Sequence, residues 1–167
     1  MAANQERNFY REAAALLAAA RSGTLASTTA AGLPHAALVT PALDAGGAPI
    51  LLLSDLAAHT RNLRANPACA LLVTGAPVDD NPQTAPRLLL SGTAELLSDD
   101  ADADANARAR FLRAHPYASQ YVGFVDFHLW RLAVSDAHYV GGFAAAARLQ
   151  IAALQHEINR LLENTSG

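Results

Sequence analysis

Apolar and polar positions change period several times along the chain. Over residues 4–20, Phe9, Ala13, Leu16, Leu17 and Ala20 recur at three- and four-residue steps, the period of a helix, and Ser22-Gly23 ends it. The texture then changes. Residues 24–29 are β-branched at both ends of a short run, and Ala31-Gly32 reads as a turn. Residues 35–43 form a second strand, closed by Asp44-Ala45-Gly46-Gly47, and residues 49–54 a third, dense in leucine. The three runs are spaced as an antiparallel meander.

A short helix follows. Asp55 caps it, residues 57–65 fill it, and Asn66-Pro67 stops it. Residues 68–74 are a continuous apolar run, as in a buried strand. Residues 75–86 hold three prolines, two aspartates and an asparagine, and read as a surface loop. Residues 87–97 form another long strand, and residues 100–114 a helix ended by His115-Pro116. Residues 125–134 alternate, with Val125, Phe127 and Leu129 on one side and Asp126, His128 and Trp130 on the other. Ser135-Asp136 reads as a turn, with residues 137–140 pairing back. Gly141-Gly142 breaks that strand. Residues 144–163 form a last helix carrying Leu149, Ala153, Leu154, Ile158, Leu161 and Leu162 on one stripe. Hairpin-linked strands with a few peripheral helices predict a mainly β, Greek-key-like fold. It is one domain over residues 1–167 whose antiparallel sheet closes as a barrel.

Composition narrows the function classes. Apolar residues are 51% and charged residues 16%, which excludes a disordered chain. The longest apolar run, residues 13–20, falls well short of the ~20 that a membrane helix needs. The first ten residues are polar and mixed in charge, unlike a signal peptide. One cysteine, Cys69, permits neither an internal disulfide nor a multi-cysteine metal site, and its apolar strand makes it inert core. A cytoplasmic protein without a membrane partner is expected. The net charge is −3 and all twelve cations are arginine, with no segment basic enough to follow a nucleic-acid backbone.

Familiar catalytic patterns are missing. The absence of lysine excludes a phosphate loop and any Schiff-base chemistry. There is no GxGxxG after a strand and no GxSxG elbow. The six histidines show no metal-ligand spacing, and Asp99, Asp100, Asp102 and Asp104 read as a solvated helix start rather than a calcium loop. What remains is a distributed anion site. The segment from Ser54 through His59, Thr60, Arg61 and Asn62 runs from a strand end into a helix start, where free N–H groups and the helix dipole favour an anion. Arg87, opening the next long strand after the loop, supplies a further cation. The competing reading is an ordinary exposed, capped helix.

Two segments carry a family resemblance. Leu53-Ser54-Asp55 through His59-Thr60-Arg61-Asn62-Leu63, then Asn66-Pro67, is one. Phe127-His128-Leu129-Trp130-Arg131-Leu132, then His138-Tyr139-Val140-Gly141-Gly142-Phe143, is the other. Together they resemble the FMN-binding split-barrel family of pyridoxamine 5'-phosphate oxidase. Pro86-Arg87-Leu88 and Val125-Asp126-Phe127 bring the resemblance closer to the HugZ/HutZ-type haem-utilisation branch. The oxidase's basic residues on the second strand are replaced here by His35-Ala36-Ala37-Leu38-Val39-Thr40, and its FWQG tryptophan falls on Val140. Pyridoxamine phosphate is therefore not the expected substrate.

The resemblance implies a split antiparallel β-barrel homodimer that binds FMN between subunits and performs flavin-dependent redox chemistry on a small-molecule substrate. His35, Ala37, Leu38, Val39 and Thr40 would lie along the flavin. Ser54, His59, Thr60, Arg61 and Asn62 would surround its phosphate, with Arg87 on the cofactor and Val140 and Gly142 reaching it from the partner chain. No general acid or base stands out. In the haem branch the same barrel would hold haem, with His156 as the iron ligand supported by Asp126. A third reading is a non-catalytic flavin-binding dimeric module.

Overall fold

The computed structural model describes residues 8–97, 101–142 and 145–165. In chain order the elements are α1 (Phe9–Ala19), β1 (Gly23–Thr28), β2 (Pro34–Val39), β3 (Pro41–Leu43), β4 (Pro49–Ser54), α2 (Ala58–Ala65), β5 (Ala68–Thr74), β6 (Arg87–Leu96), α3 (Ala101–Ala114), β7 (Phe127–Val140), β8 (Ala146–Leu149) and α4 (Ile151–Thr165). Short 3-10 turns cover Pro82–Thr84 and Pro116–Gln120.

The sheet runs β2-β1-β5-β6-β7-β4-β3, all antiparallel, with β8 added on β7. Its two terminal strands, β2 and β3, are consecutive in the chain and separated by Thr40 alone. The expected second strand over residues 35–43 is thus bent at Thr40-Pro41. One half pairs with β1 and the other with β4, so a single kinked segment draws the two sheet ends together as a split barrel. Proline at position 41 fits that kink, because it fixes φ and offers no N–H to the ladder.

The continuous apolar run of β4 has a physical reason. Leu51 and Leu53 face the main core with Leu25, Leu71, Val73, Leu88, Leu90 and Trp130. Ile50 and Leu52 face a second cluster with Leu129, and with Ala107 and Phe111 of α3. A strand buried on both faces loses the polar alternation of a half-solvated one. Helices α1 and α4 pack against one another over the main core.

Three sequence expectations need correction. Ser135-Asp136 is not a turn, and residues 137–140 do not pair back on residues 125–134; β7 is one strand of 14 residues. Ser91 pairs with Asp136 and Gly92 with Val134, so Ser135 is the extra residue of a bulge. A Cβ on Gly92 would lie 2.0 Å from the Ala133 carbonyl oxygen, so glycine is what permits the close approach. The last helix starts at Ile151, because residues 146–149 form β8 against the free edge of β7. There the backbone partners overrule alanine's helix propensity. The expected N-terminal helix is described from Phe9 onward, and residues 4–7 lie outside the described residues.

Candidate functional site

Between Ser54, the end of β4, and Ala58, the start of α2, the chain turns sharply, and β7 fixes the turn. The Ser54 hydroxyl donates to Asp126 Oδ2 at 2.7 Å and accepts from the Leu56 N–H at 3.1 Å. The Asp55 N–H donates to the Asp126 carbonyl at 2.7 Å. The Asp55 carboxylate meets Arg64 at 2.5 Å and His128 Nε2 at 3.3 Å. Arg61 Nη1 donates to the Leu56 carbonyl at 2.6 Å. Ser54 and Arg61 are therefore engaged within the turn, and two carboxylates border it. A phosphate dianion placed here would meet like charges at short range. Thr60 is fully buried, and its hydroxyl has no hydrogen-bond partner.

The far side of α2 gathers a different set. Asn62 Nδ2 donates to the Ser27 hydroxyl at 3.1 Å, and Ser27 pairs with His35 across β1 and β2. His59 stands one helical turn before Asn62 on α2, which packs beside β1 and β2, and the His35 imidazole is near enough to act on it electrostatically. Burial first, and the neighbouring His35 imidazole second, hold His59 below the ordinary value of 6.5, so its ring is neutral at pH 7. His35 Nδ1 is buried without a partner. Neutral imidazole is the metal-ligating form of histidine. Beyond His35, Val39 faces inward, Ala37 and Thr40 are half-buried, and Leu38 is 78% exposed on the outer face.

Arg87, Val140 and Gly142 form another cluster. Arg87 and Val140 pair in register across β6 and β7. Arg87 Nη1 donates to the Gln83 and Ala85 carbonyls, each at 3.2 Å. Gly142 has φ of +116°, a conformation that suits glycine, and its Cβ position is 3.4 Å from the Thr84 carbonyl. By strand spacing, this cluster and the His35–His59 pair are roughly 20 Å apart on one protomer.

His156 and Asp126 also lie apart within a protomer. His156 is exposed on α4, and the neighbouring Gln155 donates to the Gly46 carbonyl at one end of β4. Asp126 holds Ser54 at the other end, roughly 20 Å away. Cys69 is half-buried in β5, and desolvation pushes its thiol up to about 11, which leaves it protonated at neutral pH. Of the acidic stretch, Asp99 and Asp100 lie outside the described residues.

Sequence reasoning missed the partners that matter here. Ser27 carried no chemical signal of its own, and the nearness of His35 to His59 joins residues distant in the chain. The Asp55–His128 pair likewise depends on the register of β4 against β7.

A family model described as "CREG, beta-barrel" matches residues 5–155. The chain belongs to the CREG β-barrel family. Among curated proteins, the non-canonical heme oxygenase HOZ, chloroplastic, of Arabidopsis thaliana is 41% identical over 115 residues, covering 69% of this chain and 34% of that protein. The chain thus spans about a third of that relative's length. A solved heme binding protein from Mycobacterium smegmatis superposes with a TM-score of 0.82 and 33% identity, over 90% of this chain and 61% of that one. HutZ, the heme storage protein from Vibrio cholerae, shares the fold with a TM-score of 0.68 and 19% identity, over 77% of this chain and 92% of that one. These relatives bear out the split barrel and the family resemblance read from the sequence. Among the described residues, no helix is long and apolar enough to cross a membrane.

Proposed function

We propose that this protein binds haem at a site completed by two copies of the chain, and that it serves haem turnover. The observation that carries this reading is the His35–His59 pair: a neutral imidazole beside a second imidazole with an orphaned nitrogen, at the end of a strand whose outer face is apolar. Haem asks for those features, a neutral nitrogen donor next to an apolar wall. The names of the Arabidopsis and Mycobacterium relatives support it.

When bound, haem supplies the iron and its redox chemistry. The chain's own residues orient and shield it. His59 presents a ring nitrogen, and burial keeps that nitrogen unprotonated. Asn62, held by Ser27, fixes the helix face that carries His59. Arg87 offers a cation to a haem carboxylate, and Gly142 lets backbone approach a flat ring.

Because Arg87 and Gly142 lie far from His59 on one protomer, the reading requires a homodimer in which the partner supplies them. Leu38 and Leu89, outward-facing on β2 and β6, give that dimer an apolar contact. Under this account His156 ligates iron only if the partner brings it to Asp126. FMN ranks second. The turn at residues 54–62 resembles a phosphate site by sequence, but Asp126 already takes Ser54, and Asp55 adds a second carboxylate.

Titrating the purified dimer with hemin and, separately, with FMN tests the choice. Saturable hemin binding with a sharp Soret band, and FMN affinity at least tenfold weaker, is the expected result. Tight FMN binding with no specific hemin spectrum would reverse the assignment.

A further inference from the structure

One crevice on the molecule belongs to neither residue set above. It is a cleft of about 340 Å³ between the end of α1, β3, the end of α3 and α4, floored by Ala18, Ala42 and Leu43 and rimmed by Arg21, Arg110 and Arg113. None of these residues takes part in the proposed haem site. Arg110 spends its Nε on Asn106 Oδ1 at 3.1 Å, which leaves its terminal nitrogens for another acceptor. Among the described residues, none of the three arginines has a carboxylate partner.

Charge decides what this cleft accepts. The C-terminal ends of α1 and α3 both border it and contribute roughly half a negative charge each. Glu163 borders an adjoining hollow that shares Arg110. Against three guanidinium groups these leave about one net positive charge, which matches a monoanion. The volume is at the low end for small-molecule sites and below what a porphyrin needs, while the floor is aliphatic. We propose that the cleft binds an aliphatic carboxylate. The Arg110 and Arg113 forks would hold the head group, and the chain would lie over Ala18, Ala42 and Leu43. Guanidinium suits this role because its planar fork pairs two donors with the two carboxylate oxygens.

Calorimetric titration of the full chain with decanoate tests this, with decanol as the uncharged control. Saturable decanoate binding is expected, weakened about tenfold or more in the Arg110→Gln/Arg113→Gln double variant and weakened by added salt. Pre-saturation with hemin should leave it unchanged. Decanol binding as tightly as decanoate, an unaltered affinity in the double variant with a normal melting curve, or competition by hemin would overturn the proposal. If the double variant melts early, the salt dependence of decanoate binding to the wild type decides, and a flat dependence counts against it.

Discussion

Replacing Thr60 by valine should stabilise the protein. Thr60 lies in α2 with its side chain fully buried, and its hydroxyl has no hydrogen-bond partner. The carbonyl one turn earlier, Leu56, already accepts Arg61. A buried hydroxyl that lost its water without finding a replacement costs about 1–3 kcal/mol. Valine keeps the branched shape and puts a methyl group in place of the oxygen, and the two residues have similar helix propensity. The expected gain is therefore about 1 kcal/mol, or a rise of roughly 2–4 °C in Tm for a domain of this size. Urea unfolding should show a higher midpoint at an unchanged slope, so that the shift reports stability rather than compactness. A loss of about 1 kcal/mol or more in Thr60→Val would refute the reasoning, because the hydroxyl would then have a partner in solution.

Three further outcomes follow from the geometry. Gly92→Ala places a Cβ against the Ala133 carbonyl and should cost about 2–3 kcal/mol in urea unfolding, with a stability like that of the wild type contradicting the bulge. Asp44 is buried and accepts from the Gly46 and Ala48 N–H groups, each at 2.9 Å, and from Arg131 at 2.7 Å. Asp44→Ala should cost about 2–3 kcal/mol, with part of the loss recovered in Asp44→Asn, which keeps an acceptor for the two N–H groups. The folded pKa of His59 lies below the unfolded value of 6.5, so the unfolded chain takes up a proton first as the pH falls. Its contribution is fully present above pH 6.5 and is lost as the pH drops through the folded pKa. His59→Gln should flatten the stability-versus-pH curve on that acid side, measured by unfolding at several pH values, and an unchanged slope would contradict the shift.

Most of the strands were legible because hydrophobic period and punctuation coincide. Residues 49–54 and 68–74 are bounded by Gly, Pro, Asp and Asn signals, and both strands begin and end where the pattern placed them. The errors arose where a distant backbone decided the matter. Ser135-Asp136 resembles a turn locally, but β6 supplies a bulged partner for it. Ala146–Leu149 favours a helix by composition, but the edge of β7 takes it as a strand. The candidate site divided in the same way. The donor-rich segment from Ser54 to Asn62 was visible as a cluster, whereas the donors' actual partners, Asp126 for Ser54 and Ser27 for Asn62, are 72 and 35 residues away in sequence.

The central claim, that a neutral His59 beside His35 holds the haem iron, is tested most directly by the electron paramagnetic resonance and Soret spectra of the ferric haem complex. Wild type should show histidine ligation that is lost in His59→Ala and kept in His156→Ala. Identical spectra for wild type and His59→Ala, with the signal lost only in His156→Ala, would contradict it.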